Sequence, residues 1–95
     1  MRKNDPILKK FGKRVRELRI EKGFSSQVEF AVKSGIDRSY IGQVERGERN
    51  IALIMIEKIA KTLKVSVSEL FQFNSSQTYE LETKMLLLND KQHKK

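Results

Sequence analysis

Apolar side chains recur at helical spacing near the start of the chain. Four of them are separated by three, four and three positions and so share one face of a helix: Leu8, Phe11, Val15 and Leu18. Asp5-Pro6 is typical of a helix start, because Asp accepts unpaired backbone N–H groups and Pro suits the first turn. Gly23 follows Lys22, as expected of the glycine just after a helix end. This pattern predicts a first helix over residues 6–22.

Two shorter helical patterns lie on either side of Gly35-Ile36-Asp37. Ser26 and Glu29 have the spacing of a capping box, which predicts a second helix from residue 27 to about residue 34. Asp37 is placed to cap a third helix, from residue 38 to about residue 46. The two helices and their turn therefore span about residues 27–46.

The rest of the chain also has helical spacing. A fourth helix, over about residues 53–63, is predicted from four apolar positions: Ile56, Ile59, Ala60 and Leu63. Ser66 and Glu69 open a short fifth helix that ends near Phe71, and a sixth is predicted from Thr78 to about Asn89. No run alternates as a strand would. We therefore expect an all-α protein, with one domain over residues 1–71 and a linker and C-terminal helix over residues 72–95.

The third helix has two different faces at 100° per residue. Tyr40, Ile41 and Val44 fall on the side that would face the core. The opposite side is small, hydrogen-bonding or cationic and has no carboxylate of the helix on it: Ser39, Gly42, Gln43 and Arg46, with Arg38 at the edge. Such a face suits phosphates, whereas an ordinary solvated face mixes charges. Gly42 is explained either by close approach to a base or sugar or by simple tolerance of glycine.

The charge of the chain favours a polyanionic partner. The net charge is +8, and residues 1–22 hold nine Lys or Arg against three Asp or Glu. Residues 23–50 hold four of each and are neutral overall. The attraction to a polyanion is therefore expected mainly from the first helix. An anionic membrane surface is the weaker alternative, because the apolar face of that helix is needed for the core.

Several classes of function are disfavoured by the residue types present. The chain has no cysteine, and its one histidine, His93, lies in a Lys-rich tail. No nucleophile–base arrangement, Gly-rich phosphate loop or zinc motif is present, so we expect no enzyme activity, no metal and no cofactor. No apolar run approaches the ~20 residues that span a bilayer, and no signal peptide is evident. We expect a cytoplasmic protein without a small-molecule effector domain.

The order and spacing of these signals resemble the lambda-repressor/Cro-like helix-turn-helix family. The resemblance covers about residues 7–71 and rests on these segments: residues 14–19, 21–23, 26–27, 30–31, 35–36, 39–41, 45–47 and 65–71. Within the family, residues 37–40 and 45–50 look most like the controller proteins of restriction–modification systems. The resemblance implies a five-helix DNA-binding domain whose third helix enters the major groove of double-stranded DNA.

The resemblance also implies roles for individual residues. Arg38, Ser39 and Gln43 would contact base edges, and Gln27 would hold a phosphate. The remaining contacts would go to the DNA backbone or the groove edge, from Tyr40, Arg46, Arg49 and Asn50. Taken alone, Gln27 is better explained as a plain residue of the first turn, and Arg46 as a charge that complements a helix C-terminus. Within the motif, DNA contact is favoured for both residues.

One implied contact is internal. A first-helix arginine pairs with the glutamate near the end of the third helix in this family, which predicts an ion pair between Arg19 and Glu45. Two departures from the family pattern stand out. The loop before the second helix is one residue longer than usual, and Ala52 replaces the Ser or Thr that often caps the fourth helix.

We expect a homodimer, because one such domain buries little surface on DNA and specific binding commonly uses a two-fold dimer on a pseudo-palindromic operator. The candidate dimer residues are apolar: Leu53, Ile54, Met55, Val67, Phe71, Tyr79, Leu81, Met85, Leu86, Leu87 and Leu88. The tail residues either dimerise or fold back over their own domain. The leading hypothesis is a sequence-specific transcriptional regulator. The alternative is an antitoxin or adaptor that mainly binds a protein.

Overall fold

The computed structural model describes residues 5–73, which form five α-helices and no strand. The helices are α1 (Pro6–Glu21), α2 (Gln27–Ser34), α3 (Arg38–Glu45), α4 (Leu53–Leu63) and α5 (Val67–Leu70). The predicted all-α class and the five helices are confirmed, each boundary within about two residues. The predicted sixth helix over residues 78–89 lies outside the described residues. None of the described helices is long and apolar enough to cross a membrane.

Side chains just before four of the helices cap them, as the local sequence predicts. These residues accept a hydrogen bond from a backbone N–H of the first turn: Asp5, Ser26, Asp37 and Ser66. At α5 the capping box is complete, since the Glu69 carboxylate accepts from the Ser66 N–H at 2.9 Å. Ala52 offers no such side chain to α4. Its backbone N–H donates instead to the Tyr40 hydroxyl at 3.3 Å, so α3 supplies a group that holds the start of α4.

All five helices contribute to one hydrophobic core. Its buried members are apolar residues of the helices, together with Ile36 in the turn between α2 and α3: Phe11, Val15, Leu18, Phe30, Ile36, Ile41, Val44, Ile56, Ile59, Ala60, Leu63 and Leu70. The predicted inner side of α3 is confirmed, because Ile41 and Val44 are buried and Tyr40 is half-buried against the same core. Burial of this inner side leaves the opposite side of α3 facing outward.

Helices α1 and α3 approach each other backbone to backbone. A Cβ at Gly12 would lie 2.2 Å from the Val44 carbonyl oxygen, so any larger residue would push the helices apart. At the turn after α3, Gly47 has φ 74° and a Cβ there would lie 2.9 Å from the Lys9 Cα. The two glycines therefore set how closely α3 lies against α1. Nothing in the apolar spacing of α1 singled out Gly12.

Candidate nucleic-acid interface

The outward side of α3 carries the side chains that the sequence predicts for DNA contact. We call it the outer face; it consists of Arg38, Ser39, Gln43 and Arg46. Arg38, Ser39 and Arg46 are exposed and Gln43 is half-exposed. Gly42 is buried rather than open to solvent, because the side chains of Gln27 and Arg46 lie over it. That position thus differs from the sequence interpretation, in which Gly42 is part of the exposed surface.

A buried network on the other side ties the C-terminal end of α3 to α1 and α2. Arg19 Nε donates to Glu45 Oε2 at 2.6 Å and Nη2 donates to Oε1 at 3.2 Å. The two side chains are only 5% and 3% exposed. Arg19 Nη1 also donates to the Phe24 carbonyl oxygen at 2.7 Å. The predicted Arg19–Glu45 ion pair is therefore present, and its polar groups have partners despite their burial.

Gln27 joins this network instead of pointing wholly outward. Its Nε2 donates to Glu45 Oε1 at 2.9 Å, and its side chain is half-buried. We refer to Arg19, Glu45 and Gln27 together as the buried brace. The resemblance implies that the Gln27 amide holds a phosphate, and the structure shows that one of its N–H groups is already used internally. The amide oxygen lies near Gly42, at the edge of the outer face.

The start of α3 holds a carboxylate close to the outer face. Asp37 accepts hydrogen bonds from the Ser39 hydroxyl and, at 3.0 Å, from the Ser39 N–H. The Ser39 hydroxyl is the main cause that lowers the pKa of Asp37 below its ordinary value, followed by the Ser39 N–H, the Tyr40 N–H and the Arg38 charge. The Ser39 hydroxyl proton is thus committed to Asp37, and its oxygen can still accept a hydrogen bond.

Tyr40 and Arg49 form a second group beside the outer face. The Arg49 guanidinium lies 4.5 Å from the centre of the Tyr40 ring, a distance suited to a cation–π contact. The Tyr40 hydroxyl accepts from the Ala52 N–H and keeps its own proton to donate. Asn50, in the same loop, is exposed. All three residues are predicted backbone contacts. The structure brings Tyr40 and Arg49 together, and Asn50 follows Arg49 in the loop between α3 and α4.

At the end of α3, Arg46 has a partner that the sequence reasoning missed. Its Nη2 lies 3.1 Å from Glu48 Oε1, and both side chains are well exposed. Glu48 is the main cause that raises the pKa of Arg46 above its ordinary value. The turn at Gly47 brings this carboxylate back toward α3, so the outer face is not free of carboxylates once the following loop is included. The sequence indicates this pair only by the negative charge of Glu48 two residues after Arg46.

The comparisons with known proteins define the class of the chain. A family model described as "Helix-turn-helix" matches residues 15–70, more than half of the chain, and the chain belongs to this family. Among its relatives is the control protein C.MunI from a Mycoplasma species, which is 42% identical over 62 residues, covering 65% of this chain and 84% of that protein.

Solved structures narrow the resemblance to restriction–modification controller proteins. C.AhdI from Aeromonas hydrophila is 54% identical and has a TM-score of 0.63; the match covers 66% of this chain and 94% of that one. C.Esp1396I, solved as a tetramer in complex with its natural 35-base-pair operator, is 37% identical, with a TM-score of 0.65 and coverage of 72% and 88%. The predicted resemblance to the lambda-repressor/Cro-like helix-turn-helix family is confirmed, and so is the narrower resemblance to restriction–modification controller proteins.

Proposed function

We infer that the chain is a sequence-specific, DNA-binding transcriptional regulator of the restriction–modification controller type. The observation that carries this inference is the division of α3. Its inner side is fixed by the core and the buried brace, and its outer face presents Arg38, Ser39 and Gln43 to solvent. A chain with this fold, C.Esp1396I, is seen on its operator. A rigid helix with hydrogen-bonding side chains on its free side is what reading of the major groove requires.

The proposed contacts divide into those that specify sequence and those that position the protein. Arg38 donates two hydrogen bonds to one guanine, Gln43 forms two hydrogen bonds with one adenine, and Ser39 forms a hydrogen bond with either base. Positioning contacts to the DNA backbone come from residues around the outer face: Gln27, Tyr40, Arg49 and Asn50. Arg46, which the sequence places at the backbone or the groove edge, is the remaining DNA contact of the outer face. The cationic first helix adds attraction that does not depend on sequence. In this scheme residues 1–71 act as the DNA-binding domain.

We also propose that the protein binds DNA as a homodimer through α4 and α5. Helices α4 and α5, with Phe71 directly after α5, expose four large apolar residues: Leu53 (76%), Ile54 (70%), Val67 (40%) and Phe71 (43%). Large apolar side chains that are exposed on neighbouring helices are candidates for a protein interface. The contribution of residues 72–95 is tested by removing residues 75–95 and measuring the mass in solution. A truncated chain that is still a full dimer would rule out dimerisation by the tail.

The proposed function is tested by selecting bound sites from random DNA with the full chain. The selected site is then titrated at two salt concentrations in the presence of competitor DNA. A regulator yields one consensus site, which it binds more weakly at high salt but still prefers over competitor. No consensus, with binding to all DNA alike, would contradict the proposal and favour the adaptor role.

Because the relatives named above are control proteins of restriction–modification systems or share their fold, we propose no catalytic activity for this chain. A cytoplasmic location is proposed for the same reason, since the DNA that such a protein regulates lies there.

A further inference from the structure

We propose that Arg46 is a base-reading residue of the outer face and that Glu48 positions it for that role. This inference rests on the proposed DNA-binding function and deepens it. The sequence interpretation places Arg46 at the DNA backbone or the groove edge. The position of its guanidinium group in the structure argues for a different contact.

The Arg46 side chain runs back along α3 and covers Gly42. A Cβ built at Gly42 would lie 3.1 Å from Arg46 Nη1 and 3.9 Å from its Cζ. A helical side chain that points back toward the N-terminus reaches the residue four positions earlier. The guanidinium therefore lies over Gly42, one turn before its own Cα. Gly42 is the residue whose missing side chain leaves room for it.

Glu48 holds the guanidinium in this place from the loop side. Gly47 adopts φ 74°, which turns the chain back, and the Glu48 N–H donates to the Gln43 carbonyl oxygen at 2.8 Å. The backbone of Glu48 is thereby fixed against α3. Its carboxylate Oε1 lies 3.1 Å from Arg46 Nη2. One edge of the guanidinium is thus engaged by a carboxylate whose own backbone is anchored.

The pair is too exposed to be explained by stability. The two side chains are 59% and 45% exposed, and ion pairs in contact with water contribute little to folding. A carboxylate near phosphates also lowers affinity for DNA in general. A planar guanidinium has five donors, so one can go to Glu48 while a fork remains for guanine O6 and N7. Restricting the rotamers of a long side chain before binding lowers the entropy cost of making such a contact.

Three variants of the full chain test the inference. Arg46→Lys keeps the positive charge but loses the planar fork, so a phosphate contact would survive, whereas a forked contact to guanine O6 and N7 would be weakened. Glu48→Gln keeps the size of the side chain and removes its charge. Glu17→Gln is the control, because it adds the same unit of charge at an exposed position of α1. Each is used to select sites from random DNA, and its affinities for the wild-type site and for random DNA are compared.

We expect Arg46→Lys and Glu48→Gln to lose preference at the same base position. The ratio of affinities for the wild-type site and for random DNA should fall about tenfold in each, as for loss of one forked contact. In Glu48→Gln, affinity for random DNA should rise slightly, as in Glu17→Gln, whose ratio should stay at the wild-type value. Melting temperatures should remain close to wild type in all three, since the substituted side chains are exposed.

Two results would overturn the inference while leaving the proposed function intact. One is a wild-type consensus that Arg46→Lys keeps in full, which would make Arg46 a phosphate contact. The other is a Glu48→Gln chain whose affinities for both DNAs rise by the same factor, which would make Glu48 only a repulsive charge. A wild-type chain that selects no consensus at all would overturn both this inference and the proposed function.

Discussion

Two Arg–Glu ion pairs hold the same end of α3, one on each side of the helix. Arg19 and Glu45 lie between α3 and α1 and are almost completely buried. Arg46 lies on the outer face and Glu48 in the loop that follows α3, and both are about half exposed. The buried pair joins two helices far apart in the sequence, whereas the exposed pair spans one turn. The buried pair therefore fixes the position of α3 against α1, whereas the exposed pair is accessible to a ligand.

The physical difference between the pairs is the cost of losing a partner. In the buried brace, the Glu45 carboxylate accepts three hydrogen bonds, from Arg19 Nε, Arg19 Nη2 and Gln27 Nε2. Water cannot replace these bonds without opening the core. At the exposed pair, water solvates whichever group is left. Substitutions in the buried pair should therefore change the free energy of unfolding, whereas substitutions in the exposed pair should change DNA binding.

The largest effect is expected for Glu45→Ala. It leaves the Arg19 guanidinium buried without its carboxylate, which should cost about 3–5 kcal/mol of unfolding free energy. Thermal or urea unfolding of the full chain measures it, with Glu48→Ala as the matched control in the exposed pair. Equal stability of the two variants would contradict the distinction between the pairs.

A smaller effect, on binding rather than folding, is expected for Arg38→Ala. Loss of its fork should cost about 1–3 kcal/mol of binding free energy at the preferred site and relax base preference at one position. The melting temperature should not change, because Arg38 is exposed. Lys13→Ala on α1 is the comparison, since it should weaken binding evenly across sequences. If Arg38→Ala left both affinity and selectivity intact, the proposed register of α3 on DNA would be wrong.

At the N-terminal end of α3, the contribution of Asp37 to stability should depend on pH. The pKa of Asp37 is lowered in the folded protein, chiefly by the Ser39 hydroxyl. Its ionised form therefore stabilises the fold at pH values above 3.8, the ordinary pKa of an Asp side chain. This contribution is lost as the pH falls below 3.8 through the lowered folded pKa. Asp37→Asn still offers a capping oxygen but has no charge to titrate.

The melting temperatures of wild type and Asp37→Asn are to be compared at about pH 7 and at decreasing pH. Wild type should melt a few degrees higher near neutrality, and the difference should vanish at acid pH. A difference that is independent of pH would mean that the charge of Asp37 adds nothing to its cap.

The smallest effect is expected for the stability of Glu48→Gln. Removing the charge from a half-exposed pair should leave the melting temperature almost unchanged, even though the same substitution is expected to alter DNA selectivity. Differential scanning calorimetry of Glu48→Gln and Glu45→Ala under the same conditions compares their melting temperatures directly. A drop as large as that of Glu45→Ala would show that the exposed pair also supports the fold.

Local sequence was sufficient for the helices and for the inner side of α3. The caps at Asp5, Ser26 and Ser66 act within one turn, so their spacing alone predicts them. Periodic apolar positions likewise predicted the burial of Ile41 and Val44. The resemblance supplied the Arg19–Glu45 pair, which spacing alone does not indicate. The assignment of individual residues to DNA contacts remains a prediction.

What the sequence by itself determined is the all-α class, the helix boundaries and the cationic character of the chain, because these depend on neighbours along the chain. Only the tertiary structure decided the close approach at Gly12, the use of the Gln27 amide by Glu45, and the bond from Ala52 to Tyr40. It also placed the Arg46 guanidinium over Gly42. These contacts depend on how far apart the helices lie, and that distance is set by packing of the whole core rather than by any local pattern.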